Sequence, residues 1–572
     1  MRKYLRFISG LHEYLCERLE PLAALDLARF QLKKRILNRN QNFLNLLQKG
    51  VFGYASSPYL GLLKSRNIAF ADIKKWVESD GIESTLVHLQ QEGIYFTVDE
   101  FKGKTEVNRK GIRFKCNERM FDNPFLSNYY EVRSGATRSA GTRVRIDFEY
   151  LKQRSLYDAL LLHTHGILTA PIANWFPIFP GAPGMNSSLR FLRIGNAPRR
   201  WFSQVSKAQV DVNWEKSWGA QLIFMMAKLY GAPLATPDHA DLNNAHILAE
   251  WATQMLEESP RCGIYTFASS AVRVCIAARE RGLNLKGTRF LVTGEPLTAQ
   301  KKKEIEEAGA MAVPVYGISE AGVIAAGCNH SQDPSISDFC HVYKDTTAII
   351  THPLSVAHID LEVDAFLFTT LLYESPKLLL NVGMGDYGMV QKCSCDCEFG
   401  KLGFDTHFGN IRSYEKLTGE GVTFVDTDLI RILEKELPSR FGGRSTDYQL
   451  VEQENGAGLN RLRLLVSPRL GSLDERRIVR DFIELLRRSE DSPESWAQSG
   501  SLMWNQVGMV QVERVSPIPT ISGKILPFHL VKPLAKSHHP KEINSELSHT
   551  KVTSAAENPC SAKNGCPASP DH

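Results

Sequence analysis

Leu25, Ala28, Leu32 and Ile36 fall three and four positions apart, the spacing of one helix face. The same mixture of charged and apolar residues, with Tyr and Pro at turns, runs through residues 1–115 and predicts a mostly helical opening region of a large domain. From 116 to 411 the texture changes. Short β-rich runs such as Phe290-Leu-Val-Thr293 alternate with helical stretches such as Ala299–Ala308. That alternation predicts an α/β fold built on mainly parallel sheets flanked by helices, with ligands held at the carboxyl ends of the strands. Residues 412–536 read as a smaller α+β unit. Leu429, Ile430, Leu433 and Leu437 share a helix face that ends at Pro438, and Ser472 with Glu475 makes a capping box ahead of Ile478, Phe482 and Leu486. Residues 537–572 are polar and poor in large apolar groups, so they cannot offset the entropy of ordering and read as a disordered tail. No repeat of fixed period is present.

At 572 residues the chain is longer than one hydrophobic core usually serves, which agrees with two or three domains. Its 68 Lys and Arg stand against 63 Asp and Glu, and a net charge of +5 is too mild to call for nucleic acid or an anionic membrane as the main partner. No aromatic-basic interleaving points to a nucleic-acid binder. The N-terminal stretch starts basic, but Arg6, His12 and Glu13 interrupt the apolar core that an export signal needs. The longest stretch free of Asp, Glu, Lys and Arg, Ala159–Leu189, contains His163, His165, Asn174 and four prolines, so no membrane span is expected. Eleven cysteines, three of them at Cys393, Cys395 and Cys397, suggest metal more than disulfides and a reducing, cytoplasmic setting.

Three stretches carry candidate chemistry. Arg133–Arg143 combines small hydroxyl and glycine residues with three arginines, which suits a loop that cradles phosphate and equally suits an ordinary surface loop. Phe290–Pro296 runs a buried-strand pattern into Gly-Glu-Pro. Val313–Gly322 repeats the strand-then-loop pattern and offers an aromatic face in Tyr316 and a magnesium-compatible carboxylate in Glu320.

The ordered set Ser134-Gly-Ala-Thr137, Gly294-Glu295, Tyr316-Gly-Ile-Ser-Glu320, Gly385-Asp386-Tyr-Gly388, Arg412-Ser-Tyr-Glu415 and Ser522-Gly-Lys524 resembles the adenylate-forming (acyl-CoA synthetase-like) superfamily, most closely its phenylacetate-CoA ligase-like branch. The resemblance spans residues 85–535 or so and implies a large N-terminal adenylate-forming domain with a smaller mobile C-terminal domain. It implies that Ser134, Gly135 and Thr137 hold the β- and γ-phosphates of ATP. Gly294, Glu295 and Tyr316 would frame the adenine, with Gly317 and Ser319 in the same nucleotide loop. Glu320 would bind Mg²⁺, Asp386 the ribose hydroxyls, and Arg412 the ribose or the phosphate beside it. Glu415 falls at the interdomain hinge. Lys524 matches the mobile-domain lysine that contacts carboxylate and α-phosphate, and Glu320 and Lys524 are the catalytic candidates. Attack of a carboxylate on phosphorus brings two anions together, so a cation placed there answers the main catalytic need. The chain departs from the family pattern in a longer phosphate loop, in Arg143 where lysine is common, in Glu415 for aspartate and in Ser319 for threonine.

Sulfur and imidazole donors suit tetrahedral zinc. Part of the branch resembled carries a structural zinc site, and the order of residues here points to Cys328, His341, Cys395 and Cys397, with Cys393 and Cys340 as alternative donors and buried thiols as the bland alternative. By position, Leu162–Gly166, Trp175–Pro177 and Gly263–Ala268 would line the acyl site. The expected activity is ATP- and Mg²⁺-dependent activation of a small-molecule carboxylic acid, followed by transfer to the thiol of coenzyme A or of an acyl carrier protein's phosphopantetheine. The alternatives are an amide-, ester- or acyl-protein-forming synthetase and a non-catalytic nucleotide-binding relative.

Overall fold

The helix Pro21–Leu37 buries Ala24, Leu25, Ala28 and Leu32 on one face, the period its sequence predicts, and starts at a proline whose missing N–H costs nothing there. It is one of several helices that fill the chain up to Phe101. The computed structural model describes residues 2–109, 111–133, 142–177, 183–205, 214–328, 336–356, 361–413, 416–419, 422–425, 431–454, 456, 459–487, 504, 507–518 and 528–530. The expected tail at 537–572 lies outside them. Among the described residues no helix is long and apolar enough to cross a membrane.

Two hairpins follow the helices, β1 (Val107–Arg109) with β2 (Ile112–Phe114) and β3 (Tyr129–Arg133) with β4 (Arg143–Asp147). A single twelve-stranded sheet comes next. Its parallel half holds β5 (Ile172–Trp175), β6 (Arg200–Ser203), β7 (Pro237–His239), β8 (Cys262–Phe267), β9 (Thr288–Thr293) and β10 (Met311–Ile318), in the order β7-β6-β5-β8-β9-β10. Every residue of β5 and β8 is buried, as in strands covered by helices on both faces. The helix Ala268–Glu280 follows β8 directly, and Ala299–Glu307 follows β9.

At β10 the pairing changes sense. β11 (Gly322–Ala326), β12 (Cys340–Val342), β13 (Thr347–Val356), β14 (Leu361–Thr370), β15 (Val382–Lys392) and β16 (Thr406–Ser413) continue the sheet in the antiparallel order β10-β11-β12-β16-β15-β14-β13. The helix-covered parallel sheet is thus as expected, and an antiparallel half extends it. Short sequence separations explain that half, because only four residues separate β13 from β14, too few for the crossover a parallel pairing needs.

After the hairpin β17 (Lys416–Gly419) with β18 (Val422–Val425), a smaller α/β unit forms around β19 (Tyr448–Glu454), β20 (Asn460–Val466), β21 (Val510–Glu513) and β22 (Phe528–Leu530), in the order β21-β20-β19-β22. The helix Glu475–Arg487 buries Ile478, Phe482, Leu485 and Leu486. Each such side chain contributes about 1.5–3 kcal/mol on burial, which outweighs propensity in holding the helix there. Two local expectations need correction. The helix is capped by Asp474, whose carboxylate accepts the Arg477 N–H at 3.1 Å, and not by Ser472. The preceding helix runs through Pro438 to Phe441, because a wider π-turn over Ile432–Glu436 precedes the proline and changes which carbonyls need a donor.

Candidate functional site

The pairing of β9 with β10 ends at Val292 and Pro314, and two positions further on stand Gly294 and Tyr316. Gly294 has φ +77°, and a Cβ there would lie 2.9 Å from the Phe267 ring, so glycine alone fits. The Glu295 side chain turns inward. Its Oε2 accepts from the Ser269 hydroxyl and from Lys301 Nζ at 3.1 Å, and both Glu295 and Lys301 side chains are fully buried. The side chain expected to frame an adenine is therefore engaged in the interior. Tyr316 stands edge-on to Phe408 and donates its hydroxyl to Asp386 Oδ2 at 2.8 Å. Burial, then the charge of Asp386 and its hydrogen bond, hold the tyrosine pKa well above its ordinary value, so the hydroxyl stays a donor.

Gly317 occupies the bulge where the β10–β11 register shifts. Ser319 is exposed in the turn beyond it, whereas Glu320 is buried, with Tyr316 and Lys377 as electrostatic neighbours. Asp386 on β15 pairs across the sheet with Ser413, and Tyr387 with Arg412. Arg412 is held in turn by Asp338, which accepts Arg412 Nη1 at 3.2 Å and the backbone N–H groups of Asn410 at 2.7 Å and Ile411 at 2.9 Å. Gly294, Tyr316, Gly317, Glu320, Asp386 and Arg412 thus gather where the sheet changes from parallel to antiparallel.

The predicted phosphate residues Ser134, Gly135 and Thr137, the hinge acid Glu415 and Lys524 lie outside the described residues. The base of the loop between β3 and β4 is described. There Arg143 forks onto Asp122 and Glu131, and Asp122 also accepts Lys377 Nζ at 2.8 Å. A guanidinium serves two carboxylates at once, which a lysine ammonium does less well.

Below the same strands lies a thiol–imidazole cluster. Cys328 follows β11, His341 is on β12, and Cys395 and Cys397 follow β15. One ligand atom from each of the four lies within 4.8 Å of all the others. Cys328 and Cys395 sulfurs are 3.7 Å apart, and Cys397 Sγ is 3.1 Å from His341 Nε2. His341 Nδ1 donates to the Phe404 carbonyl at 2.8 Å, which leaves Nε2 with its lone pair toward the sulfurs. A hydrogen bond from Cys328, reinforced by His341, brings the Cys397 thiol down to about 3, while burial pushes Cys395 up. Gly400 is required beside the cluster, because a Cβ there would meet the Cys395 carbonyl oxygen at 1.7 Å. No described cysteine is in a disulfide. The donor set and its close spacing fit tetrahedral zinc. Of the alternative donors, Cys340 points away and donates to the Pro314 carbonyl at 3.6 Å, and Cys393 sits 3.1 Å from His407 Nδ1.

The expected acyl-site segments are packed. Trp175 Nε1 donates to the Ala240 carbonyl at 2.9 Å, and Phe176 stands edge-on to Tyr265 and Phe267. His165 Nε2 meets the Gly327 carbonyl at 3.0 Å, and His163 faces Arg29 at 3.4 Å. Sequence reasoning missed Asp338, Ser269, Lys301 and Lys377. Asp338 had no signal of its own in the polar run before Cys340, since its partners come from β16.

No protein-family model matches this chain, and no curated protein does. Solved structures similar to it include the amide bond synthetase McbA from Marinactinospora thermotolerans, at 10% identity over 70% of this chain and 67% of that one, with a TM-score of 0.38. The o-succinylbenzoate CoA synthetase MenE from Bacillus subtilis has 11% identity over 78% and 80%, TM-score 0.38. A malonyl-CoA ligase product complex has 9% identity over 72% and 74%, TM-score 0.38. The similarity extends to coenzyme A ligases and to an amide synthetase alike and separates no branch.

Proposed function

We propose that this chain is an ATP- and Mg²⁺-dependent ligase that converts a small-molecule carboxylic acid to its acyl-adenylate, releases pyrophosphate, and passes the acyl group to the thiol of coenzyme A or of a carrier protein's phosphopantetheine. The observation that carries the reading is the convergence of Gly294, Tyr316 and Glu320, at the carboxyl ends of β9 and β10, with Asp386 on β15 and Arg412 on β16, joined by the Tyr316–Asp386 hydrogen bond. Their order along the chain, with Ser134–Thr137 before them and Lys524 after, supports the same reading.

In this reading Asp386 binds ribose hydroxyls with its free oxygen while Tyr316 holds the other. Arg412, aimed by Asp338, meets the ribose or the adjacent phosphate. Glu320 holds Mg²⁺, which when bound neutralises phosphate charge. Lys524 stabilises the charge that develops as carboxylate oxygen attacks the α-phosphorus. We further propose residues 116–411 as the nucleotide-binding core and 412–536 as a small domain that turns about Glu415 so that Lys524 leaves before the acceptor enters. The Cys328–His341–Cys395–Cys397 cluster holds a structural zinc ion, and the protein works in a reducing, cytoplasmic setting. The phenylacetate-CoA ligase-like branch is the one proposed.

The test is acid-dependent pyrophosphate release across a panel of aryl and fatty acids, with Lys524→Ala and Glu320→Ala beside the native chain. Both variants lose most of the rate. Native-like release by both sinks the assignment. Addition of coenzyme A, carrier protein or amines to the acyl-adenylate then identifies the acceptor, and acyl-adenylate that persists with every thiol rejects the thiol.

A further inference from the structure

The helix Pro21–Leu37 turns Ala24, Leu25, Ala28 and Leu32 into the core, so its outer face meets solvent, where charged residues are the rule. Three large apolar side chains stand there as well. Leu22 is 67% exposed, Phe30 68% and Leu37 77%. With about 100° of turn per residue, they share a single stripe with Asp26, Arg29 and Lys33. Asp26 is exposed and pairs loosely with Arg29, at 3.6 Å. Lys33 is exposed too and has no ion pair among the described residues.

The stripe complements itself. About the point midway between Arg29 and Phe30, Leu22 mirrors Leu37, Asp26 mirrors Lys33, and Arg29 mirrors Phe30. A two-fold axis through that point lays the same helix of a second copy antiparallel to the first. Each residue then faces its mirror: leucine on leucine, acid on base, guanidinium on aromatic ring. Beside the stripe, an open groove of about 560 Å³ lies between this helix and the helix Glu398–Leu402, with Phe30 and Leu402 among its walls. A second aromatic ring has room to enter it.

We propose that the outer face of the helix Pro21–Leu37 docks a second copy of this chain, antiparallel, about a two-fold axis between Arg29 and Phe30. Asp26 meets the partner's Lys33, and the axis makes that ion pair occur twice. Leu22 packs on the partner's Leu37. Phe30 lies on the partner's Arg29, a guanidinium held in place within its own chain by Glu398 at 2.7 Å. A helix of this length spans about 25 Å, so the contact is at the small end of specific interfaces and the dimer exchanges with monomer at micromolar concentrations.

Sedimentation velocity of the full chain over about a hundredfold range of concentration is the test. The native chain shifts from monomer to dimer as concentration rises. Phe30→Glu keeps the native thermal midpoint, because the ring is exposed, and raises the dissociation constant about tenfold or more. Two charge variants then report the register. Asp26→Lys sets lysine against the partner's Lys33, and Lys33→Asp sets aspartate against the partner's Asp26, so each variant alone stays monomeric. Mixed in equal amounts they dimerise, since each chain offers the charges the other lacks. Compensation inside one chain cannot produce that rescue. A native chain that stays monomeric throughout overturns the proposal and leaves the stripe to a different partner or to this chain's own tail. Dimers that persist in both charge variants, or mixed variants that remain apart, overturn it as well.

Discussion

The Tyr316 hydroxyl donates to Asp386 at 2.8 Å although β11, β12 and β16 separate β10 from β15 in the sheet. The sheet therefore curls enough at its change of pairing for one end of the parallel half to touch the antiparallel half. This contact orients the carboxylate proposed to bind ribose. Tyr316→Phe removes one donor from it, so ATP affinity falls three- to tenfold, about 1 kcal/mol. Because the tyrosine stays protonated well beyond its ordinary range, titration calorimetry at pH 6.5 and 8.5 returns the same loss. A loss confined to the higher pH contradicts the role.

Asp338 gathers two backbone N–H groups and the Arg412 guanidinium on one buried carboxylate. Asp338→Ala strips the Asn410 and Ile411 N–H groups of their acceptor and Arg412 of its carboxylate at the end of β16. The expected cost is about 2–4 kcal/mol in denaturant unfolding, with weaker ATP binding beside it. Asp338→Asn retains an acceptor oxygen and costs less. Equal stability of all three chains rules out the anchoring role.

Glu295 and Lys301 form a wholly buried pair at 3.1 Å, and the second carboxylate oxygen of Glu295 has no partner. Lys301→Met leaves the acid uncompensated and costs about 3–5 kcal/mol. Adding Glu295→Gln removes the stranded charge, so the double variant recovers much of that loss in thermal unfolding. A double variant less stable than Lys301→Met shows that the carboxylate has compensation elsewhere.

In the small unit, a hydrogen bond from Arg469 first, then one from the Arg444 N–H, lowers the Asp447 pKa below the usual carboxylate value of about 3.9. A depressed folded-state value adds stability above the unfolded pKa and loses it as pH falls through the lower, folded one. Urea midpoints of the native chain therefore fall further than those of Asp447→Asn as pH drops from 5 to 3. Parallel pH profiles refute the assignment.

Much of this was legible in sequence, and the reason differs by element. The helix at Pro21–Leu37 and the β9–helix unit at Thr288–Glu307 follow from local period, because one apolar face is buried against a fixed neighbour. Cys328, His341, Cys395 and Cys397 were legible as donor types, and the strand order explains how 69 residues of sequence collapse to a few ångströms. Asp338 and Lys301 were not legible, because an isolated acid or lysine shows its partner only when distant strands meet. The Ser472 cap failed for a local reason: Asp474, two residues on, competes for the same helix start with a stronger acceptor.

The cluster itself predicts a dependence on soft metal. It joins the segment after β11, strand β12 and the segment after β15, while Glu320 precedes β11 and Asp386 lies within β15. An ion bound only by the folded chain stabilises it in proportion to its affinity, about 2.7 kcal/mol at a hundred times the dissociation constant. For a 572-residue chain unfolding as one unit that corresponds to roughly 2 °C in thermal midpoint. Dialysis against a strong chelator should lower the midpoint by that amount and weaken ATP binding with it. Zn²⁺ should restore both, whereas Mg²⁺ and Ca²⁺, which prefer oxygen donors, should not. Cys397→Ser should start at the lower midpoint and ignore the chelator. A native midpoint indifferent to chelator and zinc means that these four side chains hold no ion and pack as thiols alone.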